Sequence, residues 1–268
     1  MSGDLLAPIL ARKAKENARR RAHLKLFDPG LLDADGERSA PEGALTALRR
    51  DGAWPKVIAE VKFQSPSAGV IRPRAAGDGV AIARGYARAG AAAISVLCDR
   101  AGFGGSVLEL RRVAQAVDRP VLFKEFVLDP LQLDLARVAG ASMVLLLVRA
   151  LDEATLTSLV DGCLARGLEP VVEAADEAEV ERAVATRARV IGVNARDLST
   201  FRVDPAAAAR AVRKIPNERV KVYMSGVSTR AELREVAETG ADAVLMGTAL
   251  MRAPDPGERL AELLGGAR

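Results

Sequence analysis

Eight short β-branched or apolar runs, each separated from the next by enough chain for one helix and its loops, constrain this sequence more than any other feature. They are Val57–Lys62, Ala93–Leu97, Val121–Glu125, Met143–Leu147, Glu169–Glu173, Val190–Asn194, Val220–Met224 and Ala243–Met246, with starts 21 to 36 residues apart. Amphipathic helical stretches fill the intervals, the signature of repeated βα units around a parallel sheet. Eight such units predict an α/β protein built as a closed (β/α)8 barrel, the TIM barrel. The rival architecture, a doubly wound open sheet, usually has fewer strands and a glycine fingerprint after the first. The segment Glu60-Val61-Lys62-Phe63-Gln64-Ser65 has no such fingerprint. A length of 268 residues also suits one barrel, which needs about 250.

Residues 1–50 precede the first run and read as an N-terminal helical extension, leaving residues 51–268 for the barrel. Leu5, Leu6, Ile9 and Leu10 lead into a basic stretch, followed by a Gly/Asp/Pro-rich break from Asp28 to Pro41. From Ala11 to Lys25 the chain carries seven Lys or Arg and one Glu, a charge of +6. The whole chain has a net charge of +4, so the remainder is at −2. A basic segment ahead of a nearly neutral body does not make the positive docking face of a nucleic-acid-binding domain. The segment reads instead as a solvated helix. The longest apolar stretch, Ala141–Val148, is far below the roughly 20 residues that cross a bilayer, so no membrane span is expected. The N-terminus lacks a small-residue cleavage site, which points to the cytoplasm. Cys98 and Cys163 lack metal-ligand spacing and disulfide density and read as reduced core thiols. Nothing in the sequence specifies an oligomer, and a monomer is the expectation.

Side chains alternate along a strand, so parity tells which residues point into the barrel. With Ile58 inward, Glu60 and Lys62 are inward as well. The same parity groups Leu122 with Lys124 and Phe126, Val171 with Glu173, Val190 with Asn194, and Val222 with Met224. The polar members lie at C-terminal strand ends, where barrels of this class build their active sites. The chain uses 31 Arg and only 8 Lys, yet Lys62 and Lys124 occupy two of these positions. A lysine can be tuned by burial and can donate a proton, whereas a guanidinium stays charged. Glu60 and Glu173 could hold such lysines protonated or act as bases themselves. Strand-end Lys and Glu can also pair only to satisfy each other, but four such residues from three strands favour a site.

The only histidine, His23, lies in the basic stretch, so no His-based triad or His-rich metal site can form. No metal is expected. Ser225-Gly226 and Gly247-Thr248 follow the last two runs, where barrel loops often hold a phosphate. The glycines could equally serve only to shape tight turns.

These residues together resemble a known family, indole-3-glycerol phosphate synthase. The resemblance is carried by Ile58-Ala59-Glu60-Val61-Lys62 with Ser65-Pro66-Ser67, Phe103-Gly104-Gly105-Ser106, Lys124-Glu125-Phe126, Glu173, residues 191–198, Ser225-Gly226-Val227 and residues 247–251. It implies that the N-terminal extension caps the barrel. The implied reaction is the ring closure, decarboxylation and dehydration of 1-(2-carboxyphenylamino)-1-deoxyribulose 5-phosphate, without an organic cofactor. By the same resemblance Lys124 matches the general acid, and Lys62, Glu60 and Glu173 match the further catalytic charges. Ser65, Asn194 and Arg196 would bind and orient substrate, and Phe126 would pack on its aromatic ring. Ser225, Gly226, Gly247 and Thr248 would hold its phosphate. The chain departs from the family pattern at Met224, where the family usually has Glu, and at Phe63 and Gln64, where basic residues are usual. The alternatives left by those departures are a paralogue acting on another phosphosugar and a non-catalytic barrel that binds a phosphorylated ligand.

Overall fold

The computed structural model describes residues 6–24, 41–197 and 202–265. Leu5, residues 25–40 (most of the Gly/Asp/Pro-rich break) and Leu198 lie outside the described residues. The chain begins with α1 (Leu6–Leu24) and α2 (Pro41–Leu48), followed by β1 (Lys56–Val61), a hairpin of β2 (Gln64–Ser65) and β3 (Gly69–Val70), and α3 (Asp78–Arg88). It continues through β4 (Ala93–Leu97), α4 (Arg100–Phe103), α5 (Val107–Ala116), β5 (Val121–Lys124), α6 (Pro130–Val138), β6 (Met143–Leu147), α7 (Glu153–Ala165) and β7 (Glu169–Ala174). The last part holds α8 (Glu177–Val184), β8 (Val190–Asn194), α9 (Pro205–Lys214), β9 (Val220–Met224), α10 (Arg230–Glu238), β10 (Ala243–Met246), α11 (Thr248–Met251) and α12 (Pro256–Leu264).

Eight strands close into one parallel barrel in the order β1-β10-β9-β8-β7-β6-β5-β4. Five of them have the boundaries expected from the sequence, β5 and β7 differ by one residue at their C-terminal ends, and β1 is shifted by one residue at both ends. Several helices start where a side chain takes up their first free N–H groups. Asp129, Asp152, Asp176, Asp204 and Asp255 all accept from backbone amides in this way. None of the described helices is long and apolar enough to cross a membrane. Cys98 and Cys163 are buried and unbridged.

Strand alternation divides the core in two. Ile58, Leu122, Met143, Val171, Val190 and Val222 fill the barrel interior with their inward neighbours, while the intervening residues pack outward under the helices. Ala44 and Leu48 of α2 join the interior cluster and plug its N-terminal end. Arg49, just beyond α2, donates to the carbonyls of Asn217 and Glu218 ahead of β9 and ties the plug down.

The other N-terminal helix corrects an expectation. Instead of a solvated helix, α1 docks by its charges on the loops that follow β4, β5 and α6's start. The Lys13 ammonium is only 1% exposed and lies 3.0 Å from Asp99 Oδ1 and 3.1 Å from Glu125 Oε2. Arg12 donates to Asp99, Asn17 to Gln132 at 2.7 Å, and Arg21 to Asp129 at 2.6 Å. The positive run has its distant counter-charges on two loops, Asp99 after β4 and Glu125 with Asp129 after β5, which no local pattern reveals. Burial pushes the Glu125 carboxyl above its ordinary range and Lys13 only partly offsets this, so the pair is held together by mutual need. Replacing one member of a buried ion pair leaves the other charge uncompensated, at a cost of about 3–5 kcal/mol. Lys13→Met is therefore expected to lower the unfolding free energy in urea by that order, and a change below about 1 kcal/mol would show that α1 contributes little to stability.

Candidate functional site

At the C-terminal end of the barrel the strand-end charges converge. Glu60 is the penultimate residue of β1, Lys62 follows it, Lys124 ends β5, Glu173 is penultimate in β7 and Asn194 ends β8. The Lys62 ammonium is 2.7 Å from Glu60 Oε1, and the Lys124 ammonium is 3.2 Å from Glu173 Oε2. Asn194 Nδ2 donates to the other Glu173 oxygen at 2.9 Å, and the Arg196 backbone N–H donates to Asn194 Oδ1 at 3.0 Å. Glu173 thus has one oxygen on an ammonium and one on an amide, and cannot rotate without losing both.

Burial and charge compete at these groups. Glu60 is 2% exposed, and burial alone would raise its carboxyl, but the attraction of Lys62 and Lys124 outweighs it and holds the group below the ordinary carboxylate range. At Lys124 burial would pull the ammonium down, and Glu173 with Glu60 outweighs that and raises it. Glu60 therefore links the two pairs, and the site carries separated, persistent positive and negative charges.

Two adjoining cavities open above this quartet. The first is lined by Glu60, Lys62, Ser65, Lys124, Phe126, Glu173, Asn194 and Arg196, with an apolar wall that includes Leu97, Phe103, Leu145 and Leu147. The second is lined by Ser225, Gly226, Ser228, Gly247, Thr248 and Arg252, and shares Glu60, Lys62 and Arg196 with the first. All twelve residues singled out from the sequence border one cavity or both. Among the described residues no group of three His, Cys, Asp or Glu side chains could hold a metal ion.

The two glycines are required for different reasons. Gly226 has φ 80° and follows Ser225, which itself has φ 68°, so this turn needs left-handed backbone. Gly247 has a negative φ of −134°, and a Cβ there would collide with the Glu60 carboxylate. It is glycine so that Glu60 can lie across the loop after β10.

Met224 is 1% exposed and packs in the barrel interior, next to Asn194 in the strand register. A Cβ on Gly192 would collide with its side chain, so the thioether occupies the space that Gly192 leaves. Met224 borders neither cavity.

Sequence reasoning missed several lining residues. Leu97, Leu145 and Leu147 share the inward parity of their strands and were legible on that ground. Phe103, whose ring centre lies 6.1 Å from that of Phe126, sits on the short helix α4, for which no period exists. Ser228 and Arg252 come from loops and helix ends with no distinguishing pattern.

A sequence model of one family, described as indole-3-glycerol phosphate synthase, matches residues 6–263. The chain belongs to the indole-3-glycerol phosphate synthase family. It is 41% identical over 264 residues to the indole-3-glycerol phosphate synthase of Opitutus terrae, covering 97% of this chain and 98% of that protein. It is 46% identical over 247 residues to indole-3-glycerol phosphate synthase 1 of Streptomyces coelicolor, covering 92% and 90%. Among solved structures it resembles 3-hexulose-6-phosphate synthase from Salmonella typhimurium, with TM-score 0.61 and 17% identity over 78% of this chain and 98% of that one. A chain of the tryptophan synthase a2b2 complex from Pyrococcus furiosus matches with TM-score 0.58 and 15% identity, over 78% and 98%. At such identities these two likenesses concern the fold alone. In this member of the indole-3-glycerol phosphate synthase family the Lys124–Glu173 pair can be probed without substrate. Glu173→Gln removes the first charge that counters burial at Lys124. The Lys124 Nζ resonance, followed by ¹⁵N NMR, is expected to titrate at lower pH in the variant than in the parent protein. An unchanged midpoint would show that Glu173 does not hold the proton there.

Proposed function

We propose that this chain is a carbon–carbon lyase that converts 1-(2-carboxyphenylamino)-1-deoxyribulose 5-phosphate into indole-3-glycerol phosphate, carbon dioxide and water. The observation that carries this reading is the meeting of two ammonium groups and two carboxylates at an apolar-walled cavity beside a glycine-rich one. The family membership supports it.

The two cavities match the two halves of the substrate. The carboxyphenyl ring suits the apolar wall, with Phe126 and Phe103 against it, and the phosphate suits the neighbouring cavity of Ser225, Gly226, Gly247 and Thr248. The sugar chain then spans the residues common to both, Lys62 and Arg196 among them, and Ser65, Asn194 and Arg196 orient it. Ring closure forms a carbon–carbon bond between the ring carbon bearing the carboxylate and the ketone carbon. The ketone oxygen takes a proton as this bond forms, and Lys124 donates it. Loss of carbon dioxide returns the electron pair to the ring, and Lys62 attracts the departing carboxylate. The hydroxyl formed from the ketone then leaves as water with a proton supplied by one acid, while a carboxylate, Glu60 or Glu173, removes the proton that completes the indole double bond. The steps form and break carbon–carbon bonds, break one carbon–oxygen bond and move protons within one substrate, and the reading needs no organic cofactor. We take the monomer as the working unit and place the reaction in the cytoplasm.

Met224 is the only sequence feature that supports a binding protein without turnover. Its place in the interior packing removes a reason to expect that the acid and base groups have lost their function. Incubation of the purified protein with the substrate tests the proposal through the appearance of indole fluorescence. Lys124→Ala is expected to lower kcat by about 10²- to 10⁴-fold, the usual range for a positioned proton donor, with the circular dichroism spectrum unchanged. Saturable binding without product in the parent protein would contradict the synthase reading, and near-normal turnover in Lys124→Ala would remove Lys124 as the acid.

A further inference from the structure

We propose that Arg252 supplies the positive charge that pairs with the substrate phosphate, an inference that rests on the synthase reading above. A phosphate ester carries about −1.5 to −2 charges at neutral pH and binds best to a fixed cation in addition to neutral donors. The glycine-rich cavity offers hydroxyls from Ser225, Ser228 and Thr248, and its charged lining residues are Glu60, Lys62, Arg196 and Arg252. Lys62 is engaged by Glu60 at 2.7 Å, and Arg196 also has interactions of its own. The side chain of Arg252 has no hydrogen-bond or ion-pair partner among the described residues.

The segment after β1 does not fill this need. Phe63 is buried, with the Arg74 guanidinium 4.9 Å above its ring centre, and Arg74 is itself held by Glu109 at 2.7 Å. Gln64 lies against Gly104 and carries no charge. The cation that remains, Arg252, lies in the neighbouring wall of the cavity, after β10 and α11.

That wall is built to hold Arg252 in place. Arg72, after β3, donates from Nη1 to the carbonyl of Ala253 at 2.6 Å and from Nη2 to that of Pro254 at 2.7 Å. A longer contact of 3.4 Å reaches the carbonyl of Met251. The backbone is thus gripped on both sides of Arg252. The N–H groups of Met251 and Arg252 donate to the carbonyls of Gly247 and Thr248 at 2.9 and 3.1 Å, which ties the same segment to the cavity floor. The guanidinium therefore starts from a fixed point at the edge of the phosphate cavity and is free to close on an anion.

The test compares binding of indole-3-glycerol phosphate and of its dephosphorylated form, indole-3-glycerol, to the full-length parent protein, Arg252→Ala and Arg252→Lys. Arg252→Ala is expected to weaken binding of the phosphorylated compound by about 10- to 100-fold and leave indole-3-glycerol within about twofold, with KM raised and kcat within about threefold. Arg252→Lys should recover part of the loss. If the parent prefers the phosphorylated compound and Arg252→Ala keeps the same preference, the assignment of Arg252 is overturned and the synthase reading stands. If the parent binds neither compound, the synthase reading fails and this inference falls with it. Arg252 is exposed, so the melting temperature is expected to be unchanged and any loss of binding reports the contact itself.

Discussion

The site depends on keeping two ammonium groups and two carboxylates charged at the rim of an apolar barrel. Below them the interior is hydrocarbon from Ile58, Leu122, Leu145, Val171, Val222 and Leu245, so each charge loses most of its hydration and must be compensated by a neighbour. Lys62 on Glu60 and Lys124 on Glu173 supply that compensation, and the attraction between Glu60 and Lys124 joins the pairs into one unit. Much follows from this unit. Gly247 has no side chain because Glu60 lies across it, Asn194 is turned toward Glu173, and the Arg196 amide is set by Asn194. The same scarcity of water strengthens these charges toward a substrate, whose carboxylate, ketone and phosphate are what such a surface recognises.

The two N-terminal helices work at opposite ends of the barrel. At the bottom α2 inserts Ala44 and Leu48 into the interior and closes it by hydrophobic burial. At the top α1 is held by charge, through Lys13 between Asp99 and Glu125. Glu125 also borders the first cavity and lies between Lys124 and Phe126 in the chain. Arg12, Lys13 and Arg21 of the basic stretch are thus structural counterparts of acidic loops near the site.

How much was legible in the sequence follows from how each feature is encoded. The barrel strands are β-branched runs whose period is a local property, so their place and even most of their ends could be read directly. The inward direction of Glu60, Lys124 and Glu173 follows from parity along one strand. Their convergence follows from barrel closure, which brings every strand's C-terminal end to one rim. The β2–β3 hairpin was missed because strands of two residues, one pair of them exposed, show no alternation. The docking of α1 was missed because Lys13 finds partners 86 and 112 residues away, and nothing near it in sequence marks it as the buried lysine of the run. The place of Met224 was read correctly as inward, but only packing shows that it fills the space over Gly192 and does not face the cavities.

The account's central claim is that the charged quartet and the glycine-rich cavity form one substrate site. A crystal structure of the protein with a non-reacting analogue of the substrate, its ketone reduced to an alcohol, tests this most directly. The account predicts the phosphate at the backbone of Gly226, Gly247 and Thr248, the aromatic ring against Phe126, and the new hydroxyl within hydrogen-bond distance of the Lys124 ammonium. A phosphate bound elsewhere, or a hydroxyl out of reach of Lys124, would contradict it.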